Sequence, residues 1–176
     1  MNSGWNASNL LSLKSTVVYC TDSDVKEPFL VIKAIKYTTG RHGHGKIRLE
    51  GRTYFTNERF QEILQSDAKI YALYDHPGYQ MRTGVIVSVM PKSRSKKDGI
   101  FVIQLRSPTY ETWTLEVGLS FKENLEVCKP QMHLEYQKLT VEAPSKGRVD
   151  TKTYYKLKSV FDLSEDNCTR INTIIF

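Results

Sequence analysis

The chain has 176 residues, of which 40% are hydrophobic and 25% charged, a balance that suits one ordinary globular domain or two small ones. It contains no apolar run of roughly 18 residues, so a membrane span is excluded and no membrane partner is expected. Its net charge of +6 and pI near 9.2 favour polyanionic partners, because lysine and arginine release counterions from phosphates.

The three cysteines, Cys20, Cys128 and Cys168, are odd in number and far apart, with no CxxC pair. That argues against both a structural zinc site and a disulfide framework, and places the chain in a reducing compartment, the cytoplasm. The opening MNSGWNASNLLSLKS lacks a basic n-region and a true apolar core, so residues 1–13 read as a ragged tail rather than a signal peptide.

After the tail the pattern is strand. Expected runs are Ser15–Cys20, Pro28–Tyr37, Lys46–Phe55, Lys69–Tyr74, Met81–Met90, Gly99–Arg106, Glu111–Val117, Met132–Glu142 and Thr153–Leu163. They are rich in β-branched and aromatic residues, and several alternate apolar with polar. Ile47, Leu49 and Phe55 are expected to face inward, with Lys46, Arg48 and Arg52 outward. Val85–Val89 is a continuous apolar run, the pattern of a strand buried on both faces.

Two short helices are expected. Thr56-Asn57 can cap one that sets Phe60, Ile63 and Leu64 on a single face. Leu119–Val127 can form the other, with Phe121 and Leu125 four apart. Strands recurring about every 10 residues between small turns point to barrels rather than a parallel sheet. Pro77-Gly78 breaks the chain near residues 75–80. The resulting division is a barrel over 14–77, a second over 78–142, and an extension over 143–176. The extension is made basic by Lys146, Arg148, Lys152, Lys156 and Lys158.

No GxSxG, HExxH, Walker or GxGxxG signature occurs, so no catalytic residues and no cofactor are expected. His42 and His44 are the obvious metal candidates. Their i, i+2 spacing and the lack of a nearby carboxylate or thiol argue against a metal site. Two stretches concentrate charge. TTGRHGHGKIRL, from Thr38, sets Gly40, Gly43 and Gly45 around Arg41, His42 and His44. Glycine permits the positive φ of a tight reversal, which would project Arg41 and its planar fork of donors. PKSRSKKDG, residues 91–99, carries Lys92, Arg94, Lys96 and Lys97 and ends in the Asp-Gly turn signal.

The run TTGRHGHGKIRLEGRTYFTNERFQEI resembles the loop segment of the translation initiation factor 5A family, whose pattern is T-G-K-H-G-H-A-K, a strand, a glycine and F-T-G-K-K-Y-E-D-I. Thr39, Gly40, His42, Gly43, His44 and Lys46 match in place. So do Leu49, Gly51, Phe55, Thr56 and Ile63, with Phe60 standing for tyrosine. PFLVIKAIKY is similar to the preceding strand, and residues 98–118 to strands of the family's second domain. The similarity is strong over about residues 29–64 and faint to about 130.

The resemblance implies an all-β fold, an SH3-like barrel followed by an OB-fold-like barrel. It also implies binding to the ribosome and tRNA, with the loop tip reaching the acceptor end of peptidyl-tRNA. One position departs. Where the family has the lysine that becomes hypusine, this chain has Arg41. Guanidinium keeps its proton and is a poor nucleophile, so Arg41 is not expected to be hypusinated. The implied RNA-facing set is Arg41, His42, His44 and Lys46 in the loop, with Lys33, Lys36, Arg48 and Arg52 on its strands. Lys92, Arg94, Lys96 and Lys97 form a second phosphate contact. Trp113 and Tyr110 could stack bases or serve as ordinary barrel aromatics. Two alternatives stay open: self-association of the kind shown by the related fungal Woronin-body protein, or an unrelated all-β nucleic-acid-binding or viral structural protein.

Overall fold

The computed structural model describes residues 4–38, 40–41, 43–93, 99–118, 126–145, 147–163 and 170–175. Twelve strands are formed among the described residues. They are β1 (Trp5–Asn6), β2 (Val18–Cys20), β3 (Phe29–Thr38), β4 (Gly45–Thr53), β5 (Arg59–Gln65) and β6 (Lys69–Ala72), then β7 (Tyr79–Pro91), β8 (Phe101–Arg106), β9 (Thr112–Val117), β10 (His133–Ser145), β11 (Arg148–Leu163) and β12 (Arg170–Ile175). Two 3-10 helices, Ala7–Leu13 and Leu73–Asp75, complete the described elements.

The strands build two six-stranded sheets, ordered β1-β6-β2-β3-β4-β5 and β12-β11-β10-β7-β8-β9. Neighbouring strands run antiparallel wherever their register is defined. The chain divides into two compact units, Met1–Tyr79 with Thr140–Lys152, and Gln80–Leu139 with Thr153–Phe176. The fold is therefore all-β and two-part.

The first unit's core gathers Phe29, Val31, Ala34, Ile47, Leu49, Leu64 and Ile70. Alternation on β4 puts Ile47 and Leu49 inside and Arg48 outside, as the sequence pattern requires. Each fully buried Leu, Ile or Phe side chain stabilises by roughly 1.5–3 kcal/mol relative to exposure. The second unit's core gathers Ile86, Ile103, Leu105, Leu115, Leu134, Tyr136, Leu157 and Val160.

Three expectations are corrected. Residues 5–13 are no ragged tail: β1 pairs with β6, and Ala7 and Leu10 of the 3-10 helix are fully buried in the first core. Their i, i+3 spacing is the 3-10 period. The helix expected after Thr56 is instead β5, pairing with β4 from Lys46↔Gln65 to Arg52↔Arg59. Asn57 does not cap a helix; at φ 62 it turns the β4–β5 hairpin. Val85–Val89 is not buried on both faces, because Ile86 faces the core, Val87 is exposed, and a register shift falls between Ile86 and Ser88. Beyond residue 142 the strand expected at Thr153–Leu163 is present as β11, which begins earlier, at Arg148, and β12 follows it. The helix expected at Leu119–Val127 lies mostly outside the described residues.

Within the first unit, Thr140 donates its N–H to the Gly78 carbonyl at 3.0 Å. A Cβ on Gly78 would fall 2.0 Å from the Thr140 oxygen, so only glycine lets these backbones meet.

Candidate nucleic-acid interface

The glycine-rich loop is the tip of the β3–β4 hairpin. Thr38 sits opposite Gly45, and the ladder runs back through Tyr37↔Lys46, Ile35↔Arg48 and Lys33↔Glu50 to Phe29↔Thr53. Gly40 has φ +75, the left-handed turn that favours glycine. Arg41 follows it and is exposed, as is His44. Thr39 and His42 lie outside the described residues. Gly45 stands in the ladder without the positive φ of Gly40, close to Ser66. An added Cβ there would sit 2.7 Å from Ser66 Oγ, and the Gly45 carbonyl accepts the Ser66 N–H at 2.9 Å.

Residues paired across a ladder share a face, and alternate residues along a strand return to it. The outward face of the β3–β4–β5 ribbon therefore carries four rows: Tyr37, Lys46 and Gln65; Ile35, Arg48 and Ile63; Lys33, Glu50 and Gln61; Arg52 and Arg59. Five cations stand there against Glu50. Lys36 is not among them, because it pairs with Ile47 and lies on the opposite face. Ile35 and Ile63 are 45% and 57% exposed on either side of Arg48. With Asp24, Tyr37, Gln61 and Glu62 they line an open depression of about 840 Å³.

Arg59 was missed because its strand read as a helix. The period-2 set Arg59, Gln61, Ile63 and Gln65 was the available signal. Arg52 has a local task as well. Its Nη1 donates to the Asn57 carbonyl at 3.2 Å and to Asn57 Oδ1 at 3.1 Å, bracing the β4–β5 turn.

Two carboxylates fix this ribbon from beneath. Glu27, 7% exposed, accepts the N–H groups of Phe55 at 2.7 Å and Thr56 at 2.8 Å, and the Thr56 hydroxyl at 2.7 Å. Glu62 accepts the Ser23 hydroxyl and the Asp24 N–H, tying the 22–27 loop to β5.

The second basic stretch is only partly described. Pro91 pairs with Phe101, and Lys92 N–H donates to the Ile100 carbonyl at 2.8 Å. Gly99 takes the positive φ of 55 expected beside an Asp-Gly turn. Lys92 Nζ forms a 2.8 Å ion pair with Glu116 across exposed surface. Arg94, Lys96 and Lys97 lie outside the described residues.

The two aromatics flagged in the sequence behave differently. Tyr110, with φ 66 and 75% exposed, lies under the Arg106 guanidinium at 4.9 Å. Trp113 is half-buried against the second core, and its Nε1 donates to the Tyr136 hydroxyl at 2.8 Å.

Burial pushes the Cys128 thiol up to about 11 and raises that of Cys20, the unreactive state of a thiol. Among the described residues, no group of three or more His, Cys, Asp and Glu side chains could hold a metal ion. Likewise, no helix there is long and apolar enough to cross a membrane.

The geometry defines a class: a two-part all-β protein whose first sheet projects a basic, glycine-tipped hairpin. No family model and no curated protein matches the chain. Among solved structures, the chain is similar to initiation factor 5A from Methanococcus jannaschii, with a TM-score of 0.50 and 19% identity over 90% of this chain and 95% of that one. It is also similar to an initiation factor eif-5a family protein from Naegleria fowleri, with a TM-score of 0.48 and 13% identity over 85% and 96% of the two chains. The archaeal likeness shows the shared fold: two antiparallel β-sheet domains of the initiation factor 5A type.

Proposed function

We propose that this chain is a translation-factor-like protein that binds rRNA and tRNA phosphates through the β3–β4 hairpin, with unmodified Arg41 as the leading contact. One observation carries the reading. The exposed tip arginine stands at the end of a long paired hairpin whose outward face shows Lys33, Lys46, Arg48, Arg52 and Arg59 against Glu50. Such a face supplies charge without base specificity, the sequence-independent part of nucleic-acid binding. Arginine suits the tip, because its rigid fork can hold a phosphate through two bonds where an ammonium offers a point charge. Its reach is that of an ordinary side chain, shorter than a hypusine. The role is binding rather than catalysis, and it belongs in the cytoplasm with the ribosome.

The test is co-sedimentation with ribosomes across a salt series. Binding should fall by orders of magnitude between about 50 and 200 mM salt if several phosphates are contacted. Arg41→Ala should weaken ribosome binding without altering thermal unfolding. Intact mass should equal that of the unmodified sequence. Pelleting without ribosomes, or an Arg41→Ala variant that binds like the parent, would refute the tip-contact mechanism.

A further inference from the structure

We propose that the outer edge of β5 docks an extended segment of another protein, which joins the sheet as a further antiparallel strand and carries an apolar residue between a basic and an acidic one. The edge lies in the first unit and does not involve Arg41, so it stands apart from the hairpin-tip contact. β5 is a terminal strand of its sheet. Its ladder with β4 runs unbroken from Lys46↔Gln65 to Arg52↔Arg59. Two bonds at the ladder's ends fix where each backbone group points. The Ser66 N–H donates to the Gly45 carbonyl, and the Thr53 N–H to the Glu58 carbonyl, both at 2.9 Å. Hydrogen-bonded pairs alternate along an antiparallel ladder, so Phe60, Glu62 and Leu64 direct their N–H and C=O groups at β4. Arg59, Gln61, Ile63 and Gln65 turn theirs outward. The Gln65 carbonyl accepts the Ala68 N–H at 3.1 Å, and among the described residues no other backbone bond reaches that outward row.

A free edge of this kind is a template for another strand, and proteins commonly blunt one with a proline or a bulge. β5, RFQEILQ, has neither. The middle of its edge is apolar instead. Ile63 is 57% exposed, and Ile35 in the same row is 45% exposed. Two depressions meet at Ile63. One, of about 840 Å³, opens on the outward face over Ile35, Arg48 and Gln61. The other, of about 410 Å³, runs past Leu64 to Asp22 and Asp67. Successive side chains of an added strand would enter these two sides in turn.

Charge selects the occupant. On the outward side Arg59 stands beside Arg52, and Ile63 beside Arg48. On the other side the acids Asp22 and Asp67 line the depression. None of Arg48, Arg59, Asp22 and Asp67 forms an ion pair among the described residues. The matching segment has a β-branched apolar residue opposite Ile63. A lysine or arginine precedes it, opposite Leu64 and near the two aspartates. An acidic residue follows four positions later, opposite Arg59. Backbone bonds supply the affinity of such strand addition, and the alternating side chains choose the partner. A second copy of this chain fits less well. A twofold axis at Ile63 would bring the acidic Asp22–Asp24 segments of the two copies together, like charge on like.

The capped, fluorescein-labelled peptide TKVKTVE is titrated with the full chain and read by anisotropy. Binding should saturate. Methylating the backbone nitrogen of the first valine, opposite Ile63, should weaken binding about tenfold, the scale of one lost hydrogen bond. Methylating that of the following lysine, whose N–H points to solvent, should leave it unchanged. The charge-exchanged peptide TEVETVK should bind at least about tenfold more weakly. Ile63→Lys should also lose about tenfold while its far-UV dichroism stays parental, and Arg41→Ala should bind the peptide unchanged. Absence of saturable binding, equal losses from the two methylated peptides, or parental affinity for the charge-exchanged peptide would each overturn the assignment. So would a dimer in sedimentation velocity that Ile63→Lys dissociates, since the edge would then belong to a second copy.

Discussion

Replacing Glu27 with alanine removes the carboxylate that organises the β4–β5 turn. The carboxylate is 7% exposed and accepts three hydrogen bonds, from Phe55 N–H, Thr56 N–H and the Thr56 hydroxyl, at 2.7, 2.8 and 2.7 Å. Hydrogen bonds to a charged group contribute roughly 1.5–3 kcal/mol each, and a buried donor that loses its acceptor costs roughly 1–3 kcal/mol. Thr56 is exposed, so water can replace much of what it loses. Phe55 is buried, and its N–H bears most of the penalty. The net cost should be about 3 kcal/mol. For a chain of this size that lowers the melting temperature by roughly 6–12 °C. Glu27→Gln keeps a carbonyl acceptor but adds an amide N–H₂ that needs its own partners, so its loss should be intermediate. Far-UV dichroism during thermal unfolding reads both variants. If Glu27→Ala unfolds within a degree or two of the parent, the carboxylate is not what holds the turn.

Burial lowers the pKa of His76 and His133 from the ordinary 6.5. The unfolded chain then binds more protons at low pH, so stability is fully present above about pH 6.5 and declines as pH falls through the lowered values. His76 Nδ1 accepts the Gly78 N–H at 2.9 Å, a bond that protonation removes. His76→Asn should therefore flatten urea-unfolding midpoints measured between pH 7 and 5; an unchanged slope would assign the acid sensitivity elsewhere. Gly84→Ala would bring a Cβ within 2.8 Å of Trp113 Cζ2 and 3.1 Å of Leu105 Cβ. It should destabilise by roughly 1–3 kcal/mol and reduce the near-UV dichroism of the indole. Cys128, with its thiol pushed up to about 11, should alkylate at neutral pH far more slowly in the native protein than in urea, as peptide mass mapping would show.

The strands of the hairpin were legible because their side chains alternate cleanly. Ile47 and Leu49 alternate with Lys46, Arg48 and Glu50, so a period of two leaves one reading. β5 was not legible for an equally physical reason. Its inward row is Phe60, Glu62 and Leu64, and the middle member is a carboxylate that bonds Ser23 and Asp24 instead of entering the core. With that position polar and Ile63 exposed outward, Phe60, Ile63 and Leu64 fall at helical spacing, and the capping pair Thr56-Asn57 completes the misreading. Arg59 was lost with the strand. The loop glycines were recognised as a reversal, but sequence could not distinguish the positive φ of Gly40 from the place of Gly45 in the strand ladder. Trp113 was flagged, but its bond to the Tyr136 hydroxyl comes from a strand 23 residues on in the chain and was not legible.

The bond from Thr140 to Gly78 also bears on synthesis. Residues Thr140–Lys152 belong to the first unit although the chain has meanwhile built most of the second. A ribosome making this protein releases Gly78 long before its partner exists. The amino-terminal unit therefore cannot reach its finished form until residue 152 has left the exit tunnel. Ligation of two separately made halves at residue 79 would join pieces of which the first lacks part of its own unit.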